Sequence, residues 1–521
     1  MKWLKRTGVV LAALILMVII WMITNVRNRH PGYSLDLTIE APEAAGQLFA
    51  GFAAVPITPT VVDTWIDANG DARYQPLDGD VFEDGNGNGM FDPVWIAGFH
   101  NRRPANGIHD DLWARVMIID DGQTRLAVVA LDAIGFFHDD VIDIRKMIPP
   151  QLEIDYAIVC STHDHEAPDL LGLWGGGWFK SGVDPDYMAY VKSQTVKAVE
   201  RAVQNLRPAV LRFAQDLTSA APFVEDSRKP IVLDPGVRLM HAVDAEADTI
   251  LGTLMAWANH PETMWSRNLL ISSDYPHYVR KFMEEGVSDG ETMITPGIGG
   301  TVVYLNGAIG GLMTTSPRFG IAHRFEDTTY TSVSFAKARA QGQQIATVAL
   351  NALKSNGAVE LRQGGITLRA RTIAVPLDNK IFRLALALGI IGHGFERWME
   401  MRTEVAVFSL GPASFITVPG EIYPEIINGG IEAPPGQDYV LQPMEVPPLR
   451  ELMPGRFKFV FGLANDEIGY IIPKSEWDTD TPYLYNAISS PYGEINSLGP
   501  ETAPVIHREI SDLLLQLMSD Q

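Results

Sequence analysis

Two stretches carry residues whose types and spacing could do chemistry. The first is Asp155–Pro168 (DYAIVCSTHDHEAP), where His163 and His165 flank Asp164. Histidines at i and i+2 that leave the end of a strand share one face, because strand side chains alternate with period two. Neutral imidazoles at the lip of a sheet are good zinc ligands. The competing reading is a polar turn whose histidines hydrogen-bond the backbone. The second stretch is Asp67–Asp92 (DANGDARYQPLDGDVFEDGNGNGMFD). Asp67, Asn69 and Asp71 take alternate places, and Asp78 is twelfth counting from Asp67. Asp84, Asn86, Asn88 and Asp92 repeat the pattern, with Gly89 at the turn position. Alternating Asp and Asn oxygens around a glycine turn are how a loop wraps calcium. Trp95, not Glu, is twelfth in the second loop, so neither half is a complete EF-hand loop. A solvated Asx-turn loop is the alternative.

The elements that must position these residues are legible in the apolar pattern. Tyr156–Cys160 is a short β-branched run, a buried strand that delivers His163 and His165. Before it, Gly107–Asp132 reads as a β-hairpin turning at Asp120–Gly122, followed by a helix from Asp139. Trp174–Trp178 (WGGGW) is a glycine-rich aromatic loop close to the histidines. Asp184–Leu206 is an amphipathic helix that ends before Pro208. Thr249–Pro261 repeats the logic of the opening stretch: an apolar strand to Trp257, then His260 just past its end. A helix starts at Ser273–Pro276, and Val302–Leu312 is a strand entering a glycine-rich turn. Glu404–Val418 is strand-like and leads to Pro419-Gly420-Glu421. Phe459–Ile472 places Asn465, Asp466 and Tyr470 around a strand–turn junction. This alternation predicts an α/β fold of mixed β-sheets flanked by helices.

Composition excludes some partners. The 521 residues are 46% hydrophobic and 20% charged, a folded globular chain with ample core. Lys plus Arg is 41 and Asp plus Glu 63, a net charge of −22, which offers no basic footprint for nucleic acid. Cys160 is the one cysteine, so no intramolecular disulfide forms. At the N-terminus Lys2, Lys5 and Arg6 precede Val9–Ile23, a run without a polar residue. With Gly8 and Thr24 it spans about 26 Å as a helix, just enough to cross a bilayer. TNVRNRHPG follows, without a small-residue cleavage site, which favours an uncleaved signal anchor over a signal peptide. Basic residues flank both ends, so they do not fix the orientation. The expected organisation is an anchor at 1–24, a polar Pro-containing linker at 25–47, and an exported domain at 48–521.

STHDHEAP, ANHPETM, NGAIGGLM, VPGEIYPE and GLANDEIGY occur in that order on one chain. Together with GIHDDLWAR and YNAISSPYGE they make the sequence resemble the catalytic domain of the neutral (neutral/alkaline, non-lysosomal) ceramidases over roughly residues 48–521. Members of that family are exported zinc amidases that hydrolyse ceramide to a sphingoid base and a fatty acid. The resemblance implies one large zinc-hydrolase domain behind the membrane anchor, with zinc held by His163, His260, Glu421 and Tyr470. It implies His165 as general acid/base, and Tyr485 and Arg228 as the groups polarising the carbonyl. It also implies a lipid amide substrate. The residue chemistry agrees: such a donor set leaves room for a water whose pKa falls toward about 7. A neighbouring imidazole can relay the proton to the leaving amine, and phenol and guanidinium groups can donate to a charged oxygen.

The chain departs from the family pattern at three places. Glu166-Ala167-Pro168-Asp169 stands where the family has a Ser-Gly-Pro-Gly run. Gly310 stands where it has a serine. With the chain ending at Gln521, the C-terminal immunoglobulin-like domain of fuller members is not expected. Two rivals are weighed. A binuclear metallo-β-lactamase-type site needs HxHxDH, but Ala167 and Pro168 fill the last two places. A calcium-stabilised, non-catalytic surface module needs no ligand-type residues at separate strand ends. An exported metallohydrolase of another amide or ester remains the alternative. Finally, Ile381–Gly392 (IFRLALALGIIG) is about 18 Å long as a helix, too short to span a bilayer. It reads either as a core helix or as a greasy wall through which an acyl chain enters.

Overall fold

The computed structural model describes residues 2–289 and 292–519. Two sheets pack face to face. The larger runs in the order Thr301–Leu305, Ile250–Ala256, Val237–Asp244, Arg207–Asp216, Phe49–Pro56, Trp113–Asp120, Arg125–Leu131, Tyr156–Ser161. The smaller runs Asp36–Ile39, Ile366–Pro376, Glu400–Leu410, Ala413–Thr417, Phe457–Phe461. Between them lie Phe52, Met117, Ile158, Phe213 and Leu254 from one sheet and Leu368, Phe408, Phe415 and Phe459 from the other. Helices cover both outer faces. On the larger sheet sit α2 (His138–Met147), α3 (Pro185–Gln204), α4 (Asp274–Glu285) and α5 (Phe335–Lys354), following α1 (Lys2–Asn25) in the chain. Beyond the smaller sheet lie α6 (Lys380–Ala387) and a C-terminal helix over Thr502–Ser519. The layers are therefore helix, sheet, sheet, helix, with strands buried on both faces, which explains their continuous apolar runs.

Among the described residues the short strands Glu421–Ile422 and Tyr470–Ile471 pair in parallel, which sets Glu421 opposite Tyr470, and so do three longer pairs: Arg125–Leu131 with Tyr156–Ser161, Ile250–Ala256 with Thr301–Leu305, and Ala413–Thr417 with Phe457–Phe461. Their carboxyl ends open on one crevice, the usual place for a site in such sheets. The stretch Glu404–Val418, read as one strand, is a hairpin broken at Gly411-Pro412, since proline cannot donate to a ladder.

The expected linker is not free. Asp36–Ile39 pairs with Ile366–Pro376 as an edge strand, and Leu35, Leu37 and Ile39 pack on the inter-sheet core. Alternating leucine and isoleucine there satisfy a sheet edge, which outweighs the polar composition around them. The helix α1 carries a 20-residue apolar span, Arg6–Asn25, in which no residue is buried. It is long and apolar enough to cross a membrane.

Candidate active site

His163 follows its strand by two residues but does not continue the alternation. The strand stops at Ser161, and His163 has φ +64, in the left-handed region. That turn, not strand period, brings His163 and His165 together, their ring centroids 4.9 Å apart. His260 joins them from beyond Ile250–Ala256, at 4.8 Å from His163 and 5.7 Å from His165. The three buried imidazoles form one cluster able to hold a metal ion.

Hydrogen bonds define their tautomers. His163 Nδ1 lies 2.7 Å from the Ile134 carbonyl oxygen, and His260 Nδ1 2.7 Å from that of Met313. A carbonyl only accepts, so both Nδ1 atoms carry protons and both Nε2 atoms are directed into the site. There they meet one carboxylate: Glu421 Oε2 is 2.9 Å from His260 Nε2 and 3.6 Å from His163 Nε2. Burial works against the charge on Glu421, but His163 and His260 outweigh it and hold the carboxyl below its usual range. Tyr470 is hydrogen-bonded to Glu421, and burial together with that carboxylate drives its phenol well above 10. Burial also pushes His163 down to about 4.

His165 differs from its two neighbours. Neither ring nitrogen has a hydrogen-bond partner, and the nearest carboxylate, Glu262, is 3.7 Å from Nδ1. Burial and the adjacent His163, His260 and Arg103 keep it well below 6.5. Gly98 makes room for it: a Cβ there, at φ +104, would lie 2.7 Å from His165 Cγ. Arg103 fixes its backbone, Nη2 donating to the His165 carbonyl at 2.5 Å.

The departures after the paired histidines have structural roles. Glu166 is buried between Arg103 (3.6 Å) and the Asn268 amide (2.6 Å), and its carboxyl rises to about 8 through burial. Asp169 accepts the backbone N–H groups of Leu171, Gly172 and Trp174, and so pins the loop that follows. Leu171, Leu173 and Trp174 of that loop face Phe382, Leu386 and Ile391 across an apolar cavity. His163, His165, Glu421 and Tyr470 line the same cavity. Gly310 has no room for a side chain, because a Cβ would lie 2.5 Å from the backbone of Ile422 and Tyr423.

Two expected residues stand elsewhere. The Arg228 guanidinium is held by Glu494 through two contacts of 2.7 Å and lies over the Tyr423 ring. Tyr485 is 39% exposed and donates to Glu432 at 2.6 Å. Neither is among the cavity residues; each has an acidic partner that sequence proximity could not reveal. Conversely, Glu467 is a site residue that motif spacing does not mark. It lines the cavity, accepts the Gly469 N–H at 2.9 Å with Oε1, and leaves Oε2 without a partner. Burial and Glu421 raise its carboxyl well above the usual range. An acid inside the apolar run GLANDEIGYII was the available signal.

In the Asp67–Asp92 loops the carboxylates cap backbone N–H groups. Asp67 accepts from Gly70, Asp71 and Ala72, and Asp84 accepts from Gly87, Asn88 and Gly89. The Asn86 and Asn88 amides both donate to Asp92, and the Asn69 amide to Asp71. Asp80, not Asp78, closes the first loop, accepting from Ala68 and Gln75. Asp78 lies in a short 3-10 turn behind Pro76, which directs it away.

No family model matches the chain. Two solved structures share its architecture. A neutral ceramidase from Pseudomonas aeruginosa superposes with a TM-score of 0.61 at 16% identity, over 91% of this chain and 75% of that one. A ceramidase complexed with C2 gives 0.60 at 15% identity, with the same coverage. The structure neighbours of this chain are thus neutral ceramidases, and the chain has their fold.

Proposed function

We propose that this chain is a membrane-anchored, zinc-dependent amidase that hydrolyses an N-acyl lipid, ceramide-like, to a sphingoid base and a fatty acid. The observation that carries this reading is the convergence of His163 and His260 Nε2 on Glu421, in the wall of an otherwise apolar cavity. His260 has an acceptor at both ring nitrogens, whereas a neutral imidazole carries one N–H. Either a second ring proton, which Glu421 favours against the opposing effect of burial, or a cation between Nε2 and the carboxylate satisfies both contacts, and the nitrogen–oxygen donor set suits zinc as that cation. His163, His260, Glu421 and Tyr470 would hold the ion, which when bound supplies Lewis-acid polarisation of the amide carbonyl and a lowered water pKa.

The chain's own groups do the rest. His165, neutral at pH 7, takes a proton from the water whose oxygen bonds to the carbonyl carbon, and returns it to the amine nitrogen as the C–N bond breaks. The apolar wall from Leu171 to Ile391 receives the acyl chain and excludes water. We place α1 in the membrane as an uncleaved anchor, with the catalytic domain exported. We also keep calcium as a structural ligand of the Asp67–Asp92 loops. A second reading, hydrolysis of a different amide or ester, draws support from Arg228 and Tyr485 being engaged outside the cavity.

The test is product analysis. Full-length protein in detergent micelles is expected to release fatty acid and free base from an N-acyl sphingoid base, and His163→Ala to release none. Cleavage of simple esters or short amides without cleavage of any N-acyl lipid would select the second reading.

A further inference from the structure

The absence of slack after α1 fixes more than a boundary. At Asn25 the helix ends with the side-chain amide donating to the Ala387 carbonyl at the end of α6 (2.9 Å). Val26 accepts the Phe395 N–H (2.9 Å) and packs against the core cluster. Asn28 donates to Glu396 (3.0 Å), and His30 meets the Asp139 carbonyl oxygen (2.9 Å). A tether lets a domain drift from a bilayer only through free residues, at most about 3.5 Å each. Here the first residues beyond the helix are already bound to the domain. Whatever surface surrounds Ala387 and Phe395 is therefore held at the plane where α1 leaves the bilayer.

That surface has the side chains such a position requires. On α6, Ile381 is 64% and Leu384 49% exposed, with the exposed Lys380 beside them. Trp398, in the turn after Phe395–Arg397, is 74% exposed, and Arg397 next to it is exposed as well. Apolar side chains, a tryptophan and basic residues at one level are the composition of a helix lying in the headgroup region. The other face of the same helix gives Phe382 and Leu386 to the cavity lined by His163 and Glu421.

We propose that α6 and the Trp398 turn form a membrane-docking surface whose partner is the lipid bilayer, with α6 as the wall between acyl chains and cavity. The proposal rests on α1 being an uncleaved anchor. It adds to the functional reading a direction of entry: an acyl chain reaches the cavity sideways, past Ile381 and Leu384, without crossing bulk water.

Site-directed quenching tests this without any substrate. Ile381→Cys, Trp398→Cys and, as a control on an exposed loop, Leu77→Cys are labelled with an environment-sensitive fluorophore; Cys160 is buried. Full-length protein is reconstituted in phosphatidylcholine–phosphatidylglycerol vesicles carrying spin labels near the headgroup. Strong quenching and a blue shift are expected at 381 and 398, with neither at 77. Trp398→Phe should also remove part of the tryptophan emission that brominated lipid quenches. Unquenched labels at 381 and 398 on protein that stays in the vesicles through an alkaline carbonate wash overturn the docking surface alone. Release by that wash, with an N-terminus lost by mass spectrometry, overturns the anchor and the proposal together. Neither outcome bears on whether an N-acyl lipid is hydrolysed in detergent.

Discussion

His260 Nε2 and Glu421 Oε2 meet at 2.9 Å although 161 positions separate the two residues in sequence. The contact joins the segment just past strand Ile250–Ala256 of one sheet to the short strand Glu421–Ile422 that follows Ala413–Thr417 of the other. The site therefore exists only when both sheets are packed.

Loss of metal should follow loss of either side of that contact. His163→Ala and Glu421→Ala are expected to lose bound zinc by elemental analysis while keeping the wild-type circular dichroism spectrum. His165→Ala should keep the zinc and lose about 10²–10⁴ in rate, the range typical for a proton-transfer group. Zinc retained in both of the first two variants would remove them from the ligand set.

Acyl-chain length should govern efficiency. Each methylene buried in the cavity contributes about 0.8 kcal/mol, so kcat/KM is expected to climb from acetyl to palmitoyl amides. Leu386 is a buried cavity residue, and Leu386→Asp should flatten the climb. Equal efficiencies across the series would sink the lipid reading.

Gly310→Ser tests whether the backbone around position 310 leaves room for a side chain. A Cβ at Gly310 meets backbone that cannot swing aside, with Tyr423 behind it. Overpacking of this kind costs about 1–3 kcal/mol, so the melting temperature of a chain this long should fall by about 1–3 °C. An unchanged melting temperature would show that the Ile422–Tyr423 segment yields.

Alkaline stability should depend on His393. Its Nδ1 is 2.9 Å from Asp139 and its Nε2 3.8 Å from Asp466. Burial alone would lower its pKa, but the two carboxylates outweigh it and raise the imidazole to about 10. A folded pKa above the unfolded value of about 6.5 stabilises fully below that pH, and the contribution fades as pH rises through 10. The wild-type melting temperature should drop over that window more than that of His393→Gln. Parallel curves would show that the imidazole does not titrate there.

Calcium dependence of the Asp67–Asp92 loops is a matter of stability. A calcium-selective chelator should lower the melting temperature, and Asp67→Ala or Asp84→Ala should abolish the response. A curve indifferent to calcium would leave the carboxylates as the backbone caps they already are.

What local pattern can encode is legible in the amino-acid order alone. Apolar runs such as Tyr156–Ser161 and Ile250–Ala256, and the amphipathic period of α3, specify strands and helices through the neighbours they have in the chain. The same locality made the histidines past those strands recognisable as candidate ligands. The tertiary structure decided which side chains meet. Arg228 is engaged by Glu494, 266 positions away, and Tyr485 by Glu432, 53 positions away, because an arginine or phenol pairs with whichever carboxylate packing brings within reach. Glu467 became a cavity residue, and Leu35–Ile39 a bound edge rather than a linker, for the same reason. Burial and pairing are properties of the space between distant segments, and no spacing along one segment carries them.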